Sequence, residues 1–117
     1  MLLIVRTKIN SESRRKVAED LREMDAKELT LNIAVNLGRL CRWCMEGRRS
    51  RVDQFLVETE KYVRALEIAP KSSRFLPTYE WFKNDFDLLS HHVQMDADWA
   101  ESMLTWANIL THRASLI

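Results

Sequence analysis

The sequence contains few of the residues that make turns. Glycine and proline occur only twice each in 117 residues. All-β proteins join many short strands by turns built largely from these residues, so the composition disfavours an all-β fold. No apolar run approaches the roughly 20 residues that a membrane-spanning helix needs, and the apolar start at residues 1–5 is too short for a secretory signal. We therefore expect a helical protein of the cytoplasm with no membrane partner.

The residues that are abundant suit one globular core. Apolar residues make up 46% of the chain and charged residues 30%, a balance typical of a soluble domain. Four tryptophans and four phenylalanines can supply much of the buried area. The length is ordinary for one domain and short for two. We predict a single helical domain over residues 1–117.

Apolar residues recur at helical spacing in five segments, of which the second and third are the clearest. Asp25 and Glu28 have capping-box spacing at the start of the second segment, and Gly47 ends it. Ser50 is the predicted cap of the third, which stops before Pro70. The inward residues are Leu29, Ile33, Leu37, Leu40, Cys41 and Cys44 in the second segment, and Val52, Phe55, Leu56, Thr59, Val63 and Leu66 in the third. The short link between them predicts an αα-hairpin over about 28–69.

The remaining segments complete an all-α bundle of four or five helices. The first is short, with a thin stripe at Val17, Leu21 and Met24. Thr78 is a candidate cap for the fourth and Asp96 for the fifth. Residues 78–113 contain no glycine or proline and fit one long helix as well as two. We predict a break near Asp96, because helices beyond about 25 residues are uncommon in small domains.

Residues 2–9 are the one place where extended structure fits the sequence. A lone strand cannot satisfy its own backbone groups. An arm packed on the bundle, or a frayed helix start, is therefore favoured over a strand that pairs with another copy of the chain.

The cysteines and histidines do not form a recognisable metal or redox site. Cys41 and Cys44 have C-x-x-C spacing, but the chain has neither a second ligand pair for zinc nor a thioredoxin-like context. Both cysteines lie on the apolar stripe, so we predict two reduced, buried core residues without a ligand. His92 lies in line with Leu88, Met95 and Trp99, which predicts a partly buried histidine. We expect no cofactor and no metal, and no sequence motif indicates an enzyme.

Charge is distributed unevenly along the chain. Residues 1–76 contain 16 Lys and Arg against 11 Asp and Glu, a net +5, whereas residues 77–117 contain 2 against 6, a net −4. Five arginines, referred to below as the arginine cluster, surround the hairpin connection: Arg39, Arg42, Arg48, Arg49 and Arg51.

Two interpretations compete for the arginine cluster. In the structural one, Arg42, Arg48 and Arg49 complement the dipole at the end of a helix, with Arg42 paired to Glu46. Arg51 does not fit this interpretation, because it opens the next helix. In the functional one, the helix N-terminus and its arginines bind a phosphate or an acidic protein partner. The structural interpretation is favoured. Domains that bind nucleic acid are usually strongly basic, so the chain's pI of about 7.8 does not favour a nucleic-acid partner.

These observations favour a non-catalytic protein–protein interaction module that forms a homodimer. Several apolar residues lie beside the inward rows, among them Leu31, Val35, Trp43, Trp81, Leu88, Trp99 and Trp106. Large exposed apolar surfaces usually mark interfaces. A phosphate or nucleic-acid binder and an enzyme with a dispersed site are the alternative hypotheses.

Overall fold

A computed structural model describes residue 21 and residues 23–117 of the chain. Its helices are α1 (Ala26–Met45), α2 (Arg49–Ile68), α3 (Leu76–His91) and α4 (Ala97–Arg113), followed by a 3₁₀ turn at Ala114–Leu116. The predicted all-α fold is confirmed, and no strand occurs in this part of the chain. The expected arm at 2–9 and most of the first helical segment lie outside the described residues.

The predicted αα-hairpin is confirmed in detail. The Asp25 carboxylate accepts the Glu28 N–H at 2.8 Å and so caps α1. At the other end, Gly47 has a φ of 70°. Its N–H donates to the Cys44 carbonyl at 3.1 Å, and the Arg48 N–H donates to the Trp43 carbonyl at 2.9 Å. This pair of hydrogen bonds is a Schellman motif, which ends α1 and turns the chain directly into α2.

Two predicted helix caps are wrong. Helix α2 begins at Arg49, so Ser50 lies inside it and makes no capping hydrogen bond. Helix α3 begins at Leu76, with Pro77 in its first turn, a position that proline favours. Thr78 is buried, and its hydroxyl accepts a hydrogen bond from the Arg113 guanidinium at 2.9 Å. In both cases the helix begins before the residue that the sequence pattern marks as its cap.

The predicted break near Asp96 is confirmed. Helix α3 ends at His91, and α4 starts at Ala97. The Asp96 carboxylate accepts the Trp99 N–H at 2.9 Å, which satisfies one of the unpaired donors of the first turn of α4. Residues 78–113 therefore form two helices.

The four helices pack around one core, with α1 against both α2 and α4. The Cys44 thiol at the end of α1 meets the Asp96 carbonyl at the start of α4, so these helices are antiparallel. Arg113 at the end of α4 reaches Thr78 at the start of α3. The fully buried residues include Leu29, Ile33, Leu37, Leu40, Val52, Leu66, Phe75, Phe82, Met103 and Leu110.

Helix α3 connects α2 to α4 through large side chains. Lys83 forms an ion pair with Glu67 of α2 at 3.0 Å, and Tyr79 donates a hydrogen bond to the same carboxylate. On the other side, Trp81 and Phe82 contact the Trp106 ring of α4. The C-terminal ends of α1 and α3 and the N-terminal ends of α2 and α4 thus lie at one end of the bundle.

The two glycines should respond to alanine substitution with opposite signs. Gly47→Ala should lower the free energy of unfolding by about 1 kcal/mol, because a side chain is disfavoured in the left-handed region. Gly38→Ala should raise it by about 0.5–1 kcal/mol, because Gly38 lies inside α1 and alanine is the better helix former.

Gly38 is the matched control, since beyond its chain neighbours and the backbone of α1 no described atom lies within 4 Å of where its Cβ would be. Urea unfolding followed by circular dichroism measures both changes. Destabilisation of the same size at both positions would contradict the Schellman assignment.

Candidate partner-binding surfaces

All five residues of the arginine cluster are exposed at one end of the bundle. Arg39 and Arg42 lie in the last two turns of α1, Arg48 lies in the connection, and Arg49 and Arg51 lie in the first turn of α2. The hairpin connection brings these five residues together as the sequence predicts.

Several of these arginines already have local partners. Arg49 pairs with Asp53 at 2.9 Å, and Arg48 pairs with Glu46 at 3.4 Å. The expected pair of Arg42 with Glu46 is wrong, because Glu46 lies at the C-cap, where the chain turns towards Arg48. These pairs are exposed, so each adds little to stability.

The position of Arg51 has a structural explanation that the sequence pattern does not show. Its guanidinium lies 5.8 Å from the centre of the Trp43 ring, within the range of a cation–π interaction. Trp43 in turn packs on Phe55 of α2, with ring centres 4.5 Å apart. The first turn of α2 has no acidic residue and no side-chain cap. That an anion binds at this helix start stays a prediction.

The cysteines occupy the predicted row of α1. Cys44 is buried, whereas Cys41 is only half-buried, so the prediction of two buried thiols holds fully for Cys44 alone. The Cys44 thiol donates to the Asp96 carbonyl at 3.4 Å. Burial raises the pKa of both thiols, and the Asp96 charge adds to the effect at Cys44.

The prediction for His92 is wrong. It assumed a helix continuous from Leu88 to Trp99, but α3 ends at His91 and His92 is exposed. Its neighbour His91 is also exposed, with Nδ1 at 2.7 Å from the Asp87 carbonyl oxygen. In the part of the chain that the structure describes, no three His, Cys, Asp or Glu residues are arranged to hold a metal ion.

A cleft between α3 and α4 is lined mainly by acidic and polar side chains. Its volume is about 330 Å³, and its lining residues, called the acidic groove below, are Asp85, Asp98, Glu101, Ser102, Thr105 and Trp106. Trp106 Nε1–H donates to the Asp85 carboxylate at 2.8 Å. The net charge of residues 77–117 indicates an acidic surface. The contact between Asp85 and Trp106 joins residues 21 positions apart, and no local sequence pattern indicates it.

Two exposed apolar residues lie beside this groove on α3. Trp81 is 57% exposed and Leu88 is 63% exposed. They are two helical turns apart and so lie on the same face; we call them the α3 strip. The rings of Trp81 and Trp106 meet edge to face, with ring centres 5.2 Å apart and planes at 83°.

The apolar residues that the sequence places beside the inward rows thus divide into two groups. Trp43, Trp99 and Trp106 are buried in the core, whereas Leu31, Val35, Trp81 and Leu88 are exposed. Trp99 Nε1–H donates to the Leu89 carbonyl at 3.0 Å. A substitution at Trp99 therefore perturbs the core rather than an outer surface.

A second cleft, of about 340 Å³, lies between α2 and α3, and its lining includes Glu67, Lys71, Tyr79 and Lys83. Lys71 Nζ donates to the carbonyls of Leu66, Glu67 and Ala69 at 2.6–3.0 Å, and it lies over the Tyr79 ring. Burial lowers the pKa of Lys71. These contacts satisfy the last carbonyls of α2, so the cluster has a clear role in ending that helix.

Comparison of the chain with models of protein families, with curated proteins and with solved structures finds no match. Among the described helices, none combines the length and the apolar character needed to cross a bilayer.

The two thiols should differ in reactivity. In single-cysteine variants, Cys44→Ala and Cys41→Ala, a thiol reagent at pH 8 should modify Cys41 faster than Cys44, because only Cys44 is fully buried. Both should react faster in urea. Equally fast labelling of both native thiols would contradict this placement.

The same burial predicts how stability depends on pH. Because folding raises the pKa of both thiols, the free energy of unfolding should fall as the pH rises above the ordinary thiol pKa of about 8.5.

Proposed function

We propose that this protein is a non-catalytic helical interaction module of the cytoplasm that self-associates as a homodimer through the α3 strip. The observation that carries the proposal is the exposure of Trp81 and Leu88 on one face of α3. Single exposed apolar residues are ordinary, but an exposed tryptophan beside an exposed leucine marks a candidate interface. The two thiols are compatible with a reducing compartment.

The surroundings of Trp81 favour binding. Tryptophan is enriched among the residues that contribute most to interface affinity. The ring rests against Trp106, whose indole is held by Asp85. A side chain that is already ordered loses less conformational entropy on association. Burial of Trp81 and Leu88 supplies the main driving force, and a dimer held in this way survives at high salt.

A phosphate or acidic-protein site at the arginine cluster is the second candidate function. It is favoured by one observation, the start of α2 without a side-chain cap or an acidic residue. Helix N-termini attract anions. An anion at this position would compete with Asp53 for Arg49 and with Glu46 for Arg48.

Association can be tested with a matched pair of substitutions. Leu88→Lys places a charge in the proposed interface, whereas Val57→Lys places the same charge on α2 at a residue of similar exposure, 58%. Leu88→Lys should weaken the dimer about tenfold or more, equivalent to about 1.4 kcal/mol. Val57→Lys should leave the dissociation constant unchanged.

Sedimentation equilibrium at micromolar concentrations measures both variants and the native chain. The native chain should sediment as a species of twice the 13.8 kDa chain mass. A native chain that remains at 13.8 kDa, or equal weakening by the two substitutions, would contradict the proposal.

A further inference from the structure

The arginine cluster and the acidic groove lie at the same end of the bundle. The contact between Cys44 and Asp96 joins the end of α1 to the start of α4. Two of the arginines precede Cys44 and three follow it, all within seven residues. Asp98 and Glu101 lie in the first two turns of α4. One molecule therefore presents a basic and an acidic surface at a single end.

Lysine and arginine are scarce in the part of the chain that forms the acidic groove. Residues 77–117 contain only one lysine and one arginine, Lys83 and Arg113. Lys83 pairs with Glu67, and Arg113 donates to Thr78. Among the described residues, no ion pair involves Asp85, Asp98 or Glu101.

The arginine cluster has the opposite imbalance. Its five arginines are accompanied only by Glu46 and Asp53 between positions 39 and 53. Arg42 is exposed, and no ion pair to a described residue involves it. A guanidinium can pair with a carboxylate through two parallel hydrogen bonds and can stack on an indole ring.

We infer that each copy in the dimer inserts its arginine cluster beside the acidic groove of the other copy. The inference rests on the proposed self-association and names the surface that meets the α3 strip. Arginines of one copy pair with Asp98 and Glu101 of the other, and the aliphatic parts of their side chains cover Trp81 and Leu88. A two-fold axis makes the contact twice, so both basic and both acidic surfaces are used.

A second copy fits the groove better than an unrelated basic partner. The two surfaces occur in a one-to-one ratio on every molecule, and the opposite charges of the two parts of the chain nearly cancel, to a net +1. Reciprocal pairing therefore satisfies both surfaces without a further component. Complementary charge contributes orientation and association rate, whereas burial of the α3 strip contributes most of the affinity.

Two complementary charge-reversal variants test this arrangement. The groove variant carries Asp98→Lys and Glu101→Lys, and the cluster variant carries Arg42→Glu and Arg48→Glu. In a homodimer of either variant, like charges meet at both contacts. In a mixed dimer, the basic cluster of one variant meets the unchanged groove of the other, and the acidic cluster meets the basic groove, so opposite charges meet again.

Each variant alone should dimerise about tenfold or more weakly than the native chain, and the equimolar mixture should recover native affinity to within about threefold. Circular dichroism checks that the variants are folded. The control variant Glu58→Lys with Glu60→Lys changes the net charge as the groove variant does, but on α2, at side chains that belong neither to the groove nor to the α3 strip. It should dimerise like the native chain.

The outcomes separate this inference from the proposal on which it rests. If the native chain dimerises and Leu88→Lys disrupts it, but mixing the charge variants restores nothing, the reciprocal contact is wrong and self-association stands. If each charge variant dimerises as tightly as the native chain, the contact is wrong as well. A native chain that is monomeric at micromolar concentrations overturns both.

Discussion

The structure depends on the burial of α1 against both α2 and α4. Its row of Leu29, Ile33, Leu37 and Leu40 is at most 1% exposed, so these side chains hold three helices together at once. Because cores are close-packed, a shift of α1 would disturb both neighbours. The direction of α1 also determines where Gly47 turns the chain and where Cys44 meets Asp96. The packing of α1 therefore determines both the fold and the position of the charged surfaces.

Local rules predicted the parts of the fold that local contacts determine. Asp25, Gly47 and Asp96 act on backbone groups within a few residues of themselves, so the hairpin and the break before α4 could be read from the sequence. Ser50 and Thr78 were wrongly predicted as caps, because α2 begins at Arg49 and α3 at Leu76, so each of the two residues lies inside its helix. The predicted partial burial of His92 was also wrong, because it required a helix that continues past this residue. Helix α3 instead ends at His91.

The candidate surfaces were predictable only where sequence neighbours form them. The arginine cluster lies within 13 consecutive positions, 39–51, and one connection is enough to bring it together. The acidic groove and the α3 strip depend on how α3 packs against α4. Helical spacing marked seven apolar residues beside the inward rows, but it could not show that Trp99 and Trp106 are buried while Trp81 is exposed. That division is decided by tertiary contacts, among them the hydrogen bond from Trp106 to Asp85.

If two copies meet through the arginine cluster and the acidic groove, a spin label on one copy should broaden amide signals of the other. Ser50→Cys, in a chain that also carries Cys41→Ala and Cys44→Ala, places a spin label at the hairpin connection of an unlabelled copy. That copy is mixed with native ¹⁵N-labelled protein, so any broadening of amide signals is intermolecular. We expect selective broadening at Asp98, Glu101 and Thr105. Uniform broadening, or broadening confined to other helices, would contradict it.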